Sequence, residues 1–229
     1  MTESAANRIA DLPCWSGAVS IEPLSGGMTN LNFKVSDGGQ DYVVRLGEDD
    51  PIHLISRQNE IASSQAAFAI GVSPELVYHE AGVLVVRFVD GRVYGEADVR
   101  DADNLERIVD LLRRFHHEMP THFHQVPVMF WVFQVFRHYH NLLARGDSAH
   151  AARLPELAQI GRELEAAVGP VEIVFGHNDL LAANFIDDGD QIWLIDFDYA
   201  GFNSPLFDLS NLASNNELSD DQERLMLEQ

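Results

Sequence analysis

The stretch GHNDLLAANF, residues 176–185, sets a histidine, an aspartate and an asparagine between apolar runs. VEIVF precedes it and predicts a buried strand. NFI, the turn DDGD and QIWLIDFD follow it and predict a hairpin that ends on Asp196 and Asp198. A hairpin brings its two ends together, so Asn184 and Asp196 are expected to lie side by side. Amide and carboxylate oxygens at one point indicate a metal site.

Upstream of this hairpin, residues 1–90 predict a small antiparallel sheet that carries one helix. The runs AVSIEPL, NLNFKV and DYVVRL have the character of strands, and the turn segments SGGMTN and SDGGQ separate them. HLISRQNEIASSQAAFAIG predicts the helix, which Gly71 ends. VLVVRFVDG predicts a further buried strand.

Residues 91–229 have a different, helical pattern. The first helix is expected to close near Met119, and PVMFWVFQVFRHYHNLLARG, LPELAQIGRELEAAVG and SDDQERLMLEQ predict three more. The fold class is therefore α+β. It is expected to have two lobes, an N-terminal one of residues 1–90 and a mostly helical C-terminal one of residues 91–229. The first of these four helices carries its apolar face on Leu105, Ile108, Val109, Leu112 and Phe115.

The chain of 229 residues has a net charge of −21, from 36 acidic and 15 basic residues. Such a field repels nucleic acids and anionic membranes, and it favours a cationic substrate. A solvated acidic surface that keeps the protein in solution is the plainer interpretation. Local donors and Mg²⁺ would still allow an acidic protein to bind ATP.

A cytoplasmic location is expected from three features of the sequence. Cys14 is the single cysteine, so no internal disulfide can form, which fits a reducing compartment. The first residues, MTESAANRIADLPCW, lack the apolar core of a signal peptide. No apolar run approaches the roughly 20 residues of a membrane span.

The polar stretch also follows the spacing of a phosphoryl-transfer site. His177-Asn178-Asp179, four residues and Asn184 match the kinase pattern HxDxxxxN. Asp179 would then be the catalytic base and Asn184 a metal ligand, and Asp196 begins Asp-Phe-Asp where kinases have their metal-binding Asp-Phe-Gly. His177 is predicted to hold the loop rather than to react.

Three further parts of a nucleotide site are predicted near the N-terminus. Gly26 and Gly27 lie in the turn between the first two strands, where a phosphate loop belongs, although a plain hairpin turn explains them as well. Arg45 ends YVVR on the third strand, where kinases have a phosphate-binding lysine. Glu60 on the next helix is its expected partner. A solvated arginine and an exposed glutamate are the alternatives for these two.

GHNDLLAANFI, WLIDFDYAGFNSPLFDLSN, RFHHEMP and YVVRLGE resemble the choline/ethanolamine kinase family, one of the aminoglycoside-phosphotransferase-like kinases. The resemblance covers about residues 20–216 and implies an ATP- and Mg²⁺-dependent phosphotransferase. It implies that residues 1–90 are the nucleotide-binding lobe and residues 91–229 the catalytic and substrate lobe. On the nucleotide side it implies that Asn184 and Asp196 bind Mg²⁺ and that Arg45 contacts phosphates. The backbone of Arg87 to Val89 is implied to hold adenine.

On the acceptor side the resemblance implies that Asp179 deprotonates the hydroxyl of choline or a similar amino alcohol. Tyr199 matches an aromatic residue of the choline pocket, and Asp198 matches an acidic position that would bind substrate or a second metal ion. Aromatic faces and carboxylates suit a trimethylammonium group, which donates no ordinary hydrogen bond. Asp208 is implied to support the catalytic loop. Packing in the core is the alternative for Tyr199.

Two departures from the family keep the acceptor open. The family's full fold continues for about a further quarter of its length in helices that line the choline site, so this chain is expected to be C-terminally short. NLASNN also has asparagines where a carboxylate and a tryptophan are expected. The alternatives are a kinase for thiamine, homoserine or an aminoglycoside, and a non-catalytic nucleotide-binding pseudokinase.

Overall fold

The computed structural model of this chain describes residues 3–24 and 30–228. The proposed phosphate turn with Gly26 and Gly27 lies outside the described residues, so its role stays a prediction. Within the described part, α-helices and antiparallel strands are both present, and the α+β prediction is confirmed.

The N-terminal sheet has five antiparallel strands in the order β1-β2-β3-β5-β4. The hairpin of β2 and β3 is closed by Gly38 and Gly39 at φ +56° and +84°, which are backbone angles that glycine adopts without strain. These turn angles explain why SDGGQ is a hairpin. The strands are β1 (Ser20–Leu24), β2 (Leu31–Asp37), β3 (Gln40–Leu46), β4 (Leu76–Glu80) and β5 (Val83–Arg87).

One face of this sheet is covered by α1 (Glu3–Ala10). The buried side chains of the helix, Ala5 and Ile9, belong to one cluster with the alternating inward residues Val35, Val44 and Val85. Side chains of a strand point alternately to the two faces of the sheet, so every second residue of these strands faces α1, as the sequence pattern predicted.

The helix after β3, α2 (Arg57–Ala69), begins four residues later than expected from the sequence. Ser56 caps it by accepting from the N–H of Asn59, and the chain before it closes a tight loop in which Asp50 and Ile55 exchange backbone hydrogen bonds. The alanines on the buried face of α2, Ala62, Ala66 and Ala67, pack into the large core of the C-terminal part rather than the core of the sheet. This helix therefore ties the two parts of the chain together.

The C-terminal part consists mainly of helices with two small sheets. The sheets have the strand orders β6-β8-β9 and β10-β7. The strands are β6 (Arg92–Val93), β7 (Val174–Gly176), β8 (Phe185–Asp187), β9 (Ile192–Leu194) and β10 (Gly201–Asn203). The helices are α3 (Glu96–Val99), α4 (Ala102–His122), α5 (Val132–Arg145), α6 (Leu154–Val168), α7 (Pro205–Asn215) and α8 (Asp220–Glu228).

Helix α4 forms the centre of this part and supports the polar stretch from behind. Its five predicted apolar positions are all buried. The ring of Phe115 stacks on Phe197 at 5.9 Å and meets the edge of Phe175 at 6.0 Å. The helix runs to His122 with Pro120 in its last turn, slightly beyond the predicted end near Met119.

Helix α5 begins at Val132, five residues later than its aromatic sequence predicts. The preceding residues run extended beside β10: Phe130 N–H donates to the Phe202 carbonyl at 2.9 Å, and Phe202 N–H donates to the Val128 carbonyl at 2.8 Å. This backbone pairing replaces the first predicted helical turn. Among the residues that the structure describes, no helix combines the length and the apolar character needed to cross a membrane.

Candidate active site

The polar loop, residues 177–184, leaves β7 through a tight turn. Asn178 has φ +66°, in the left-handed region that asparagine tolerates better than most residues. A Cβ on Gly176 would lie 3.0 Å from Asn178 Oδ1 and 3.1 Å from Asp208 Oδ2. Glycine is therefore needed at the start of the loop, because two oxygens fill the space of its side chain.

The side chain of Asp208, on α7, accepts hydrogen bonds from the backbone of this loop. Its Oδ2 accepts from His177 N–H at 2.8 Å and its Oδ1 from Asn178 N–H at 2.6 Å. His116 on α4 contacts the same carboxylate at 2.9 Å, and Asp208 itself has no exposed surface. A buried carboxylate with three partners fixes the loop, in agreement with the support predicted for Asp208.

His177 connects the loop to the hairpin. Its Nε2 donates to the carbonyl of Ile195 at 3.0 Å, and its ring packs edge-on against Phe197 at 5.3 Å. The side chain is fully buried. This arrangement gives His177 a structural place beside Asp196 rather than an open position in the cleft.

The hairpin of β8 and β9 brings Asn184 and Asp196 to the same point. Ile195 N–H donates to the Asn184 carbonyl at 3.0 Å, so Asp196 follows directly after a residue that is bonded to Asn184. Asn184 Nδ2 donates to the Asp179 carbonyl at 2.9 Å, which leaves Oδ1 as the atom for a cation. These hard oxygens suit Mg²⁺, which takes one or two carboxylates and otherwise water and phosphate.

Arg45 reaches this point from the N-terminal sheet. Its Nη1 donates to Glu60 Oε1 and to Asp196 Oδ1, both at 2.7 Å, and it lies 3.3 Å from Asp198 Oδ1. The arginine is thus not a solvated strand end, and Glu60 is not an exposed helical glutamate. One guanidinium nitrogen joins the sheet, α2 and the end of the hairpin.

Arg57 is a second cation of this cluster that the sequence pattern did not single out. Its Nη1 lies 2.6 Å from Glu60 Oε2 and 2.7 Å from Asp198 Oδ1. The spacing of three residues between Arg57 and Glu60 on one helix was the available signal. Asn30, directly before β2, was also missed; its Nδ2 donates to Asp198 Oδ2 at 3.2 Å.

The carboxylates of the site have different electrostatic environments. Burial raises the pKa of Asp179 above its usual value. Burial also acts to raise the pKa of Asp196, but the charge and hydrogen bond of Arg45 outweigh it and the pKa is lowered. For Asp198, burial together with the charges of Glu60 and Asp196 raises the pKa to about 6. Asp196 is therefore held as the anion that a cation site requires.

Tyr199 lies close to Asn178 and Asp179 of the polar loop. Burial raises the pKa of its hydroxyl to about 12, and the neighbouring Tyr139 and Asp179 add to this shift. The edge of its ring meets Phe130 at 5.8 Å, and its carbonyl accepts from Asn178 Nδ2 at 2.9 Å. Tyr199 is therefore half-buried among aromatic rings close to the polar loop.

Tyr139, on α5, lies near Tyr199, and the sequence did not indicate this proximity. His53 Nδ1 lies 3.3 Å from the Tyr139 hydroxyl, and His138 Nε2 lies 3.1 Å from the carbonyl of Ile52. Both contacts join the loop between β3 and α2 to α5. The effect of Tyr139 on the pKa of Tyr199 shows that α5 also lies near Tyr199.

Arg87 and Val89 lie on the connection that leaves β5, away from the ion-pair cluster. The Arg87 side chain contacts Glu75 at 3.1 Å and Gln40, and its N–H donates to the Glu75 carbonyl. Phe88 N–H donates to the Asp41 carbonyl. Because these two N–H groups are occupied, an adenine ring would have to use Val89 N–H or a carbonyl of this connection.

The model of choline/ethanolamine kinases matches residues 21–223. The chain belongs to the choline/ethanolamine kinase family. This confirms the resemblance carried by the polar loop and the hairpin, since both lie inside the matched range.

Individual relatives agree with this family. Protein LicA of Haemophilus influenzae is 28% identical over 89% of this chain and 60% of its own length. A probable ethanolamine kinase of Arabidopsis thaliana is 28% identical over 84% of this chain and 55% of its own length. This family member therefore spans less than two thirds of these two relatives.

A solved structure confirms the two-part kinase-like fold. The choline/ethanolamine kinase family protein of Mesorhizobium loti superposes with a TM-score of 0.75 at 26% identity. The match covers 99% of this family member and 74% of the other chain. The sheet with its helix, the polar loop and the helical part thus follow the architecture of a family member with additional residues.

Proposed function

We propose that this family member is a phosphotransferase that moves the γ-phosphoryl group of ATP to the hydroxyl of a small cationic amino alcohol. Choline or ethanolamine is the proposed acceptor. The observation that carries the proposal is the meeting of Arg45 with Asp196 at 2.7 Å, beside Asn184 and the polar loop. This contact supports the proposal, because phosphoryl transfer from ATP requires a phosphate-binding cation beside a metal-binding carboxylate.

Asp179 is proposed to orient the acceptor hydroxyl and to take its proton as the new oxygen–phosphorus bond forms. The bond between the γ-phosphorus and its bridging oxygen breaks in the same step, and ADP leaves. The loop that carries it is fixed by Asp208, so the carboxylate has a defined position before substrate arrives. Positioning of this kind supplies a large part of catalysis in reactions that need little covalent chemistry from the protein.

Asn184 Oδ1 and the second oxygen of Asp196 are proposed to hold Mg²⁺. When bound there, the ion would offset the negative charge of the phosphates. Arg45 is proposed to contact the same phosphates, while Glu60 limits its movement. The backbone of residues 87–89 is proposed to hold adenine, and the turn with Gly26 and Gly27 to cover the phosphates.

The acceptor is proposed to bind between Tyr199 and the carboxylate of Asp179. Asp198, whose oxygens are bound by the protein, is proposed to add negative charge nearby. Aromatic faces attract a quaternary ammonium group through the negative face of the ring. The net charge of −21 favours a cation over an anion at the cleft. An aminoglycoside, thiamine or homoserine is the alternative acceptor, and each uses the same phosphoryl chemistry.

The deciding assay is transfer from Mg·ATP to choline, ethanolamine, thiamine, homoserine and an aminoglycoside, with an acceptor-free control. Transfer to choline or ethanolamine is expected. Transfer to another acceptor would keep the chemistry and correct the substrate. Binding of Mg·ATP without transfer to any acceptor would favour the pseudokinase alternative. An Asp196→Ala variant should lose Mg-dependent nucleotide binding, and an unchanged ATP titration would contradict the metal assignment.

A further inference from the structure

Arg57, the first residue of α2, has more partners than a helix-terminal arginine needs. Its Nη1 donates to Glu60 and Asp198, its Nη2 to Asn30 Oδ1 at 2.8 Å, and its Nε to the Glu48 carbonyl at 3.0 Å. Four of the five guanidinium donors are thereby used by the protein. Arg57 is consequently poorly placed to contact a phosphate itself.

The chain makes room for this arrangement at Gly47. A Cβ on Gly47 would collide with Asn30 Oδ1 and would lie 3.2 Å from Arg57 Nη2. Asn30 in turn donates to Asp198, so Arg57, Asn30 and Asp198 form a closed set of hydrogen bonds. This set joins the residue before β2 to the end of the hairpin.

Arg45 is held differently. Its three contacts, to Glu60, Asp196 and Asp198, all use the single atom Nη1. Within residues 3–24 and 30–228 its Nη2 has no hydrogen-bond partner. Arg45 therefore has donors left for a ligand.

The charges of the cluster explain why two arginines are present. The carboxylates of Glu60 and Asp198 are 2% and 7% exposed, so they need a cation nearby. If Arg45 were their sole counter-ion, its movement toward a nucleotide would leave two buried carboxylates uncompensated. Arg57 shares an oxygen of Asp198 with Arg45 and takes the second oxygen of Glu60, so both carboxylates would keep a cation.

We propose that Arg57 is a positioning residue that compensates Glu60 and Asp198 and thereby leaves Arg45 free to bind the nucleotide phosphates. This inference rests on the proposed function and adds the residue that sets nucleotide affinity without touching the nucleotide. Arg57 acts through charge and hydrogen bonds, so its effect should appear in nucleotide binding before any chemistry occurs.

Calorimetric titration with Mg·ATP, without acceptor, tests the proposal on the full chain. Arg57→Gln should weaken ATP binding about tenfold or more, because Arg45 is then retained by Glu60 and Asp198. Arg57→Lys keeps the charge and should stay closer to wild type. Arg107→Gln is the matched control: it removes an arginine paired with Asp187 at 2.7 Å outside the cluster, and ATP affinity should stay unchanged.

Mn²⁺ alone, followed by its electron spin resonance signal, separates positioning from general structural damage. Loss of the Arg57 charge makes the site more negative, so Mn²⁺ binding by Arg57→Gln should stay equal or become tighter. Parallel loss of Mn²⁺ and ATP binding would overturn the proposal. Glu60→Gln added to Arg57→Gln removes one uncompensated charge and should recover part of the ATP affinity.

Failure of this inference can be told apart from failure of the proposed function. If Arg45→Gln weakens ATP binding while Arg57→Gln stays within twofold of wild type, the role of Arg57 is overturned and the nucleotide site stands. If wild type itself does not bind Mg·ATP, the proposed function falls, and the role of Arg57 falls with it.

Discussion

The ion-pair cluster around Arg45 and the helices α5 and α6 are assembled in opposite ways. In the cluster, charged side chains are largely withdrawn from water and each has defined partners. Helix α5 is rich in aromatic residues but has no buried residue, and α6 buries Leu154 alone. The aromatic helix is thus at most half-buried. Arg45 and Glu60, for which a solvated arginine and an exposed glutamate were the alternatives, lie inside.

This difference shows that burial follows the elements that pack on a segment more than the polarity of its sequence. Helix α4 lies between α2 and β7 and buries its whole apolar face. Helices α5 and α6 pack mainly on one another, and a cavity of about 490 Å³ remains between them, lined by Phe133, Phe136 and Gly161. Local stability should therefore be lower there than around the site.

The largest expected effect is on turnover and is predicted for Asp179, beside the ion-pair cluster. Asp179→Ala should lower kcat by at least about 100-fold, because a positioned base is lost. ATP affinity should change little, since Asp179 makes no side-chain hydrogen bond to the cluster. Steady-state kinetics and calorimetry check the two values. Turnover within a few-fold of wild type would exclude Asp179 as the base.

The difference in packing between α4 and α6 can be tested with the same change, leucine to alanine, at one position on each helix. Leu112→Ala on α4 removes a side chain that is 1% exposed and should cost about 2–5 kcal/mol of unfolding free energy. Leu164→Ala on α6, where the residue is 55% exposed, should cost less than about 0.5 kcal/mol. Urea denaturation measures both. Equal losses would show that α6 is packed as tightly as α4.

The smallest expected effect concerns an ion pair at the surface. Arg107 lowers the pKa of Asp187 below its usual value, so the pair contributes stability above the unfolded-state pKa of about 4. That contribution is lost as the pH falls through the lower folded-state value. Arg107→Gln should cost up to about 1 kcal/mol at pH 7, because Arg107 is partly exposed.

Denaturation at pH 7 and near pH 2 measures this difference between wild type and Arg107→Gln. The gap between the two proteins should become smaller at the lower pH, where Asp187 begins to take up a proton. A gap that stays constant with pH would mean that the stabilisation comes from packing of the arginine stem instead of charge.

Much of the fold could be predicted because its signals are local. The alternating apolar residues of β2 and β3 and the two glycines between them specify a hairpin without reference to the rest of the chain. Helix starts were predicted less well. Ser56 caps α2 late, and α5 is delayed because residues 128–130 pair with β10, a strand more than 70 positions away by sequence.

The candidate site was predictable where neighbours in sequence are neighbours in space. The hairpin brings Asn184 next to Asp196. Asp179 lies five residues before Asn184 in the same loop, so its position near both residues follows from the sequence. Arg57 was not predicted, because an arginine at the start of a helix is common and its partners Asn30 and Asp198 lie far away in sequence. Tyr139 was missed because its neighbours His53 and Tyr199 lie far from it in the sequence.

The sequence by itself determined the family, the α+β class and the short-range geometry of the loop and hairpin, since these depend on spacing and backbone preference. The tertiary structure decided that Arg45 meets Asp196 across 151 positions and that Asp208 holds the loop from 30 positions away. Such contacts form only when α2 and the sheet pack against the helical part, because two distant charges have no local reason to meet. Packing therefore joined the separate motifs into a site.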